Sequence, residues 1–216
     1  MTEAAGVKGE GFAIGVAVAD YDNDGDQDLF IAGVNRNLLY RNEGNGKFTD
    51  VTKPANLLGI DPKRGPKFEK PWSVAAAWLD YDNDGNLDLF VANYCQWHPD
   101  IDPYCGAQKE GYRTYCNPNA YEGLPNQLFR NNGDGTFTDV SVASGISQHI
   151  GKGMGVAISD YNDDGFVDIF VANDTLPNFL FRNNGGKSFA EVALTAGVAL
   201  NDGGKPVSSM GVDFRD

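Results

Sequence analysis

Asp20-Tyr21-Asp22-Asn23-Asp24-Gly25-Asp26-Gln27-Asp28 runs directly into the apolar stretch Leu29-Phe30-Ile31-Ala32. The string returns as Asp80-Tyr81-Asp82-Asn83-Asp84-Gly85-Asn86-Leu87-Asp88 before Leu89-Phe90-Val91-Ala92. It returns again as Asp160-Tyr161-Asn162-Asp163-Asp164-Gly165-Phe166-Val167-Asp168 before Ile169-Phe170-Val171-Ala172. A string that recurs in one register between apolar runs marks a repeat protein, here with an acidic loop in every repeat.

The spacing has a physical reason. Carboxylates at positions 1, 3, 5 and 9 of a curled loop converge on one point, and the glycine at position 6 permits the bend. Without a cation these groups repel one another and their proton affinities rise. An all-oxygen set of this kind suits calcium better than zinc or copper. The first loop offers Asp20, Asp22, Asp24 and Asp28, with the backbone carbonyl of Asp26 as a fifth ligand. The second offers Asp80, Asp82, Asp84 and Asp88, with the carbonyl of Asn86. The third offers Asp160, Asn162, Asp164 and Asp168, with the carbonyl of Phe166. About three calcium ions are expected, one per loop. The third loop has one carboxylate fewer and is expected to bind most weakly.

Asp, Asn and Gly also mark ordinary polar turns, but three copies in one register argue against that reading. An EF-hand does not fit. Its loop ends in a bidentate Glu at position 12 between helices, whereas position 12 here is Ile31, Val91 or Val171 and the flanks read as strands.

Working outward, the small-residue run 11–19 enters the first loop and Leu29 to Gly33 leaves it. Asn37 to Asn42 and Lys47 to Val51 alternate around the turn Glu43-Gly44-Asn45-Gly46, giving four short strands per unit. Units are expected at about 11–60, 70–150 and 151–200. The start of a fourth is expected at 205–216, where Asp216 aligns with Asp20, Asp80 and Asp160. This alignment suggests a longer natural protein. Repeated four-stranded antiparallel units make an all-β fold of propeller blades, about three of a longer propeller, the natural architecture. An open stacked array of β-repeats is the alternative, and either must cover its sheet edges.

At 216 residues with 41% apolar content the chain can build a real core. A formal charge of −13 argues against nucleic acid or an anionic membrane as partner. No stretch is apolar and long enough to span a bilayer, and Met1-Thr2-Glu3 does not open a signal peptide.

The loops, together with Leu39-Tyr40-Arg41-Asn42, Leu128-Phe129-Arg130-Asn131 and Leu180-Phe181-Arg182-Asn183, their Gly-rich turns and Phe-Thr-Asp-Val, resemble the FG-GAP/VCBS repeat family. The similarity is greatest to its cartilage-acidic-protein (ASPIC and UnbV-associated) branch and covers nearly the whole chain. It implies a seven-bladed propeller like that of integrin α-subunits, calcium in the blade loops, and an extracellular setting. It also implies adhesion or matrix binding without catalysis. Asn162 departs from the family pattern.

Residues 93–124 fall outside the repeat. They carry Cys95, Cys105 and Cys116 with Tyr94, Trp97, His98, Tyr104, Tyr112, Tyr115 and Tyr121. One disulfide plus a spare thiol fits an oxidising compartment better than free thiols or a metal site. The pairing is open, and a Cys95–Cys116 bridge would pin both ends. The aromatics either pack the insertion or anchor a protein or glycan partner. His98 and His149 are isolated, and the basic cluster Lys63, Arg64, Lys67 and Lys70 reads as a solvated loop. Asn173-Asp174-Thr175 matches a glycosylation acceptor, a weak signal in a chain rich in Asn.

Two functions fit these residues. One is a secreted or periplasmic, cell-surface calcium-binding module, not an enzyme, that meets a protein or glycan partner or assembles with itself through blade edges. The alternative is the propeller scaffold of a calcium-dependent polysaccharide lyase or hydrolase. Nearly all clustered carboxylates already belong to the loops, which favours the first.

Overall fold

Each acidic loop joins two antiparallel strands, and the strand register closes it. Ala19 pairs with Asp28, Leu79 with Asp88, and Ser159 with Asp168. The ninth loop residue thus sits opposite the residue preceding the first. A computed structural model describes residues 1–9, 11–58 and 71–214. The basic cluster at Lys63, Arg64, Lys67 and Lys70 lies outside the described residues, as does Asp216.

Short helix α1 (Thr2–Ala5) precedes the first sheet. It ends at Gly6, which turns left-handed at φ 79°. Strands β1 (Ala13–Ala19), β2 (Asp28–Gly33), β3 (Leu38–Asn42) and β4 (Phe48–Asp50) follow and form the first sheet in that order. The second begins with β5 (Pro71–Leu79) and β6 (Asp88–Gln96). The chain then makes the hairpin β7 (Cys105–Gly106) and β8 (Arg113–Thr114), passes β9 (Leu124–Pro125), and completes the sheet with β10 (Gln127–Asn131) and β11 (Phe137–Asp139). Strand β12 (Ile150–Gly151) pairs with β9. The third sheet is β13 (Gly153–Ser159), β14 (Asp168–Asn173), β15 (Phe179–Asn183) and β16 (Phe189–Glu191). The fold is all-β, and each four-stranded antiparallel sheet is a blade of the propeller type.

The blades pack face to face. Phe30, Ala32 and Leu39 of the first meet Leu89, Val91, Phe129 and Phe137 of the second in one core. Phe90, Ala92 and Leu128 on the opposite face of the second meet Ile169, Val171, Phe179 and Phe181 of the third. Successive residues of a strand point to opposite faces, and both faces of β6 are covered, so its apolar run is continuous. Each fully buried Leu or Phe contributes about 1.5–3 kcal/mol of transfer free energy, offset by the entropy of ordering the chain. The inner strands touch backbone to backbone. A Cβ on Gly15 would stand 2.2 Å from the Val74 carbonyl oxygen.

Two faces differ from this pattern. On β1 and the residue before it, Phe12, Ile14, Val16 and Val18 are exposed, Phe12 at 74%. Counted back from the loops they match Trp72, Val74, Ala76 and Trp78, of which Trp78 packs against the first blade. On the third blade, Phe214 meets Phe170 edge-on at 6.3 Å and 81°, the relation Trp78 has to Phe30 at 6.4 Å and 82°.

The insertion divides the two readings of its aromatics. Trp72 packs edge-on against Tyr94 and Trp97. Asp102 accepts hydrogen bonds from Trp97 Nε1 (3.0 Å), from the Tyr121 hydroxyl (3.1 Å) and from Arg113. Tyr104, Tyr112 and Tyr115 remain exposed. The disulfide joins Cys105 to Cys116, and Cys95 is a buried free thiol. The alternative Cys95–Cys116 bridge does not form, because β6 runs on through Cys95 and turns its side chain inward.

Candidate metal centre

Three local features build each loop. Residue 4 is left-handed, at φ 59° for Asn23, 58° for Asn83 and 57° for Asp163, a conformation Asn and Asp tolerate. Residue 6 is Gly25, Gly85 or Gly165, at φ 85–95°. Residue 1 then accepts the freed amides. Asp20 Oδ1 takes the N–H of Asp24 (3.0 Å) and Oδ2 that of Gly25 (2.9 Å). Asp80 and Asp160 do the same in their loops. The N–H groups of Asp26, Asn86 and Phe166 donate to Oδ1 of Asp24, Asp84 and Asp164.

Residue 9 ties the loop to the sheet. Asp28 is fully buried, and its oxygens accept from the N–H groups of Tyr21 (3.1 Å) and Asn42 (2.7 Å). Asp88 does so with Tyr81 and Asn131, and Asp168 with Tyr161 and Asn183. Burial pushes the Asp28 carboxyl up to about 6 and Asp88 up to about 7, and it raises Asp168. Burial, followed by the neighbouring carboxylates Asp24 and Asp84, also raises Asp22 and Asp82.

In the first loop the structure draws oxygens of Asp20, Asp22 and Asp24 within 4.8 Å of one another. In the second it does so for Asp80, Asp82 and Asp88. Oxygens bound to one calcium at about 2.3–2.6 Å lie no more than about 5 Å apart, so both triads fit that ion. Asp22 Oδ1 and Asp82 Oδ1 are buried without a hydrogen-bond partner among the described residues. A buried carboxylate oxygen left unsatisfied is costly, and a cation facing it removes the cost. The third loop is more exposed, and Asn162 answers its own neighbours. Its Nδ2 donates to Asp164 Oδ2 (3.0 Å), and its Oδ1 accepts from the Asp164 N–H (3.3 Å). No triad of that kind forms there among the described residues.

The remaining motif residues have structural partners. His98 pairs with Asp100, and His149 packs on Phe179 and Phe181. Asn173 is fully buried, with its side chain bonded to the Lys152 N–H and the Pro177 carbonyl, so the glycosylation match is not an accessible acceptor in this fold. The role of the Arg-Asn asparagines was not evident from the sequence. Asn131 Nδ2 donates to Tyr21 O and Leu87 O, and Asn183 Nδ2 donates to Tyr81 O and Val167 O. Their recurrence at Asn42, Asn131 and Asn183 was the available signal.

The family model described as an FG-GAP-like repeat matches residues 20–91 and 115–171, more than half of the chain. This chain belongs to the FG-GAP-like repeat family. The gap in that match falls in the disulfide-bearing insertion. Among curated relatives, this FG-GAP-like chain is 26% identical to cartilage acidic protein 1 of Xenopus tropicalis over 230 residues, 85% of this chain and 35% of that protein. It is 25% identical to the Homo sapiens protein of the same name, over 85% of this chain and 34% of that one. The chain therefore spans about a third of the length of the relatives it matches. A solved Agrocybe aegerita lectin structure, described for recognition of non-reducing terminal N-acetylglucosamine, aligns with 81% of this chain and 36% of its own. The TM-score is 0.41 and the identity 18%.

Proposed function

We propose that this chain is a calcium-stabilised extracellular binding module of the FG-GAP type, without catalysis. The observation that carries the reading is the pair of buried, unpartnered oxygens, Asp22 Oδ1 and Asp82 Oδ1, each within a converged carboxylate triad. Calcium would be held by Asp20, Asp22, Asp24 and Asp28 in the first loop, and by Asp80, Asp82, Asp84 and Asp88 in the second. Asp160, Asn162, Asp164 and Asp168 would hold it in the third. The carbonyls of Asp26, Asn86 and Phe166 would complete the sets. The ion neutralises the crowded carboxylates and fixes the loop. Its role is structural, so the partner-binding surface is sought elsewhere.

The setting is supported from two sides. The Cys105–Cys116 disulfide belongs to an oxidising compartment, and the relatives are named for cartilage. No described helix is long and apolar enough to cross a membrane. The exposed Tyr104, Tyr112 and Tyr115 on a disulfide-closed hairpin are the favoured contact for a protein or glycan partner.

Metal content and melting temperature, measured on one sample in calcium, magnesium and EDTA, test the reading. A calcium-specific rise with two tight ions and one weaker ion per chain supports it. A chain that retains no calcium and melts identically in all three buffers overturns it.

A further inference from the structure

We propose that each blade's Arg-Asn asparagine sets the cation affinity of the preceding blade's loop, so that Asn183 of the third blade is a positioning residue for the second loop and Asn131 of the second blade is one for the first. This rests on the calcium reading above and adds an interdependence between sites that are separate in sequence.

The geometry is specific. The Tyr81 carbonyl belongs to the peptide that joins Tyr81 to Asp82, and Asn183 Nδ2 holds that oxygen at 2.8 Å. The peptide plane so fixed aims the Asp82 side chain, whose Oδ1 is the unpartnered buried oxygen of its loop. Across the first interface Asn131 Nδ2 holds the Tyr21 carbonyl at 2.8 Å, and the residue so aimed is Asp22, with the other unpartnered oxygen. The loops clamped in this way are the two whose carboxylates converge within 4.8 Å.

Each asparagine also serves its own loop. The backbone N–H of Asn183 holds Asp168 Oδ1 at 2.7 Å, and its Oδ1 accepts from Gly186 N–H at 2.8 Å. That glycine lies against Asp82, where an added Cβ would stand 2.9 Å from the Asp82 Cα. Asn83 Nδ2 donates to the Gly165 carbonyl at 3.0 Å and joins the second loop to the third directly. One residue therefore ends in two loops, and ordering either restricts the other. Less conformational freedom remains to be lost when the second cation binds, which is positive coupling without a large change of shape.

The test isolates the second loop. Asp22→Asn with Asp24→Asn disables the first, and Asp160→Asn with Asp164→Asn disables the third, leaving one calcium event for calorimetry. Adding Asn183→Leu should weaken that event about tenfold, the worth of one well-placed hydrogen bond, and should also lower the melting temperature in EDTA, because the Tyr81 and Val167 carbonyls and the Gly186 N–H lose their partner. An affinity within about twofold of the parent overturns the proposal, since an asparagine that serves only its own blade would affect the third loop alone. If Asn183→Leu does not fold, Asn183→Ala is measured by the same criteria. Absence of any calcium event while Asn183 is intact removes the calcium reading itself, and the proposal with it.

Discussion

The ring of Trp78 stacks on Tyr21 across the first blade interface, with centroids 6.0 Å apart and planes 13° from parallel. Tyr21 stands between two proposed cation ligands, Asp20 and Asp22, so an indole of the second blade reports on the loop of the first. Terbium in place of calcium should luminesce when tryptophan is excited. Trp78→Phe should remove most of that signal at modest cost to the fold, because the Trp78 Nε1–H has no acceptor among the described residues. Asp22→Asn should abolish terbium binding at this loop. Undiminished emission from Trp78→Phe would place the bound ion elsewhere.

The third loop should gain most from one substitution. Asn162→Asp restores the missing carboxylate at the position held by Asp22 and Asp82. It should tighten calcium binding there by about tenfold, since ligand charge count sets affinity. In EDTA the same change adds repulsion and should lower the melting temperature. A calorimetric titration without a change in the weakest event would show that charge count does not limit that loop.

Buried loop carboxylates give stability an unusual pH dependence. Asp28 at about 6 and Asp88 at about 7 lie above the ordinary value of 3.8. The metal-free folded chain therefore binds more protons than the unfolded chain between about pH 4 and 7. Its stability should fall as pH rises through that window. Calcium favours the ionised carboxylates, so the gain in melting temperature on adding it should be larger at pH 7.5 than at pH 5. Equal gains at both pH values would exclude these carboxylates from the sites.

The cysteines should behave as two classes. Burial pushes the Cys95 thiol up to about 12, which leaves it protonated and shielded. A thiol reagent should find no reactive group in the native chain and one after unfolding. Reducing Cys105–Cys116 should open the hairpin of β7 and β8 to proteolysis while the main melting transition persists, because that bridge joins residues of the insertion alone.

The loops and strands were legible in the sequence because each is a local pattern. Nine consecutive residues specify a loop, and alternation over five residues specifies a strand. The links between blades were not. Asn131 and Tyr21 are 110 residues apart, and nothing near either residue names the other. The cysteine pairing was obscured for a related reason. Cys95 was counted with the insertion, although β6 continues to Gln96 and Cys95 makes an isolated bridge with Gly123. The aromatics of the insertion could not be sorted before the fold showed Trp72 between Tyr94 and Trp97.

The two faces of each blade are unlike, and this gives the assembly a direction. Leu89 and Val91 look back toward the first blade while Phe90 and Ala92 look forward to the third. Contacts of this type are heterologous, and on the first blade the exposed Phe12, Ile14, Val16 and Val18 occupy the positions of Trp72, Val74, Ala76 and Trp78 on the second. Such a stack lengthens only head to tail, and the small rotation at each step decides between a ring and an open spiral.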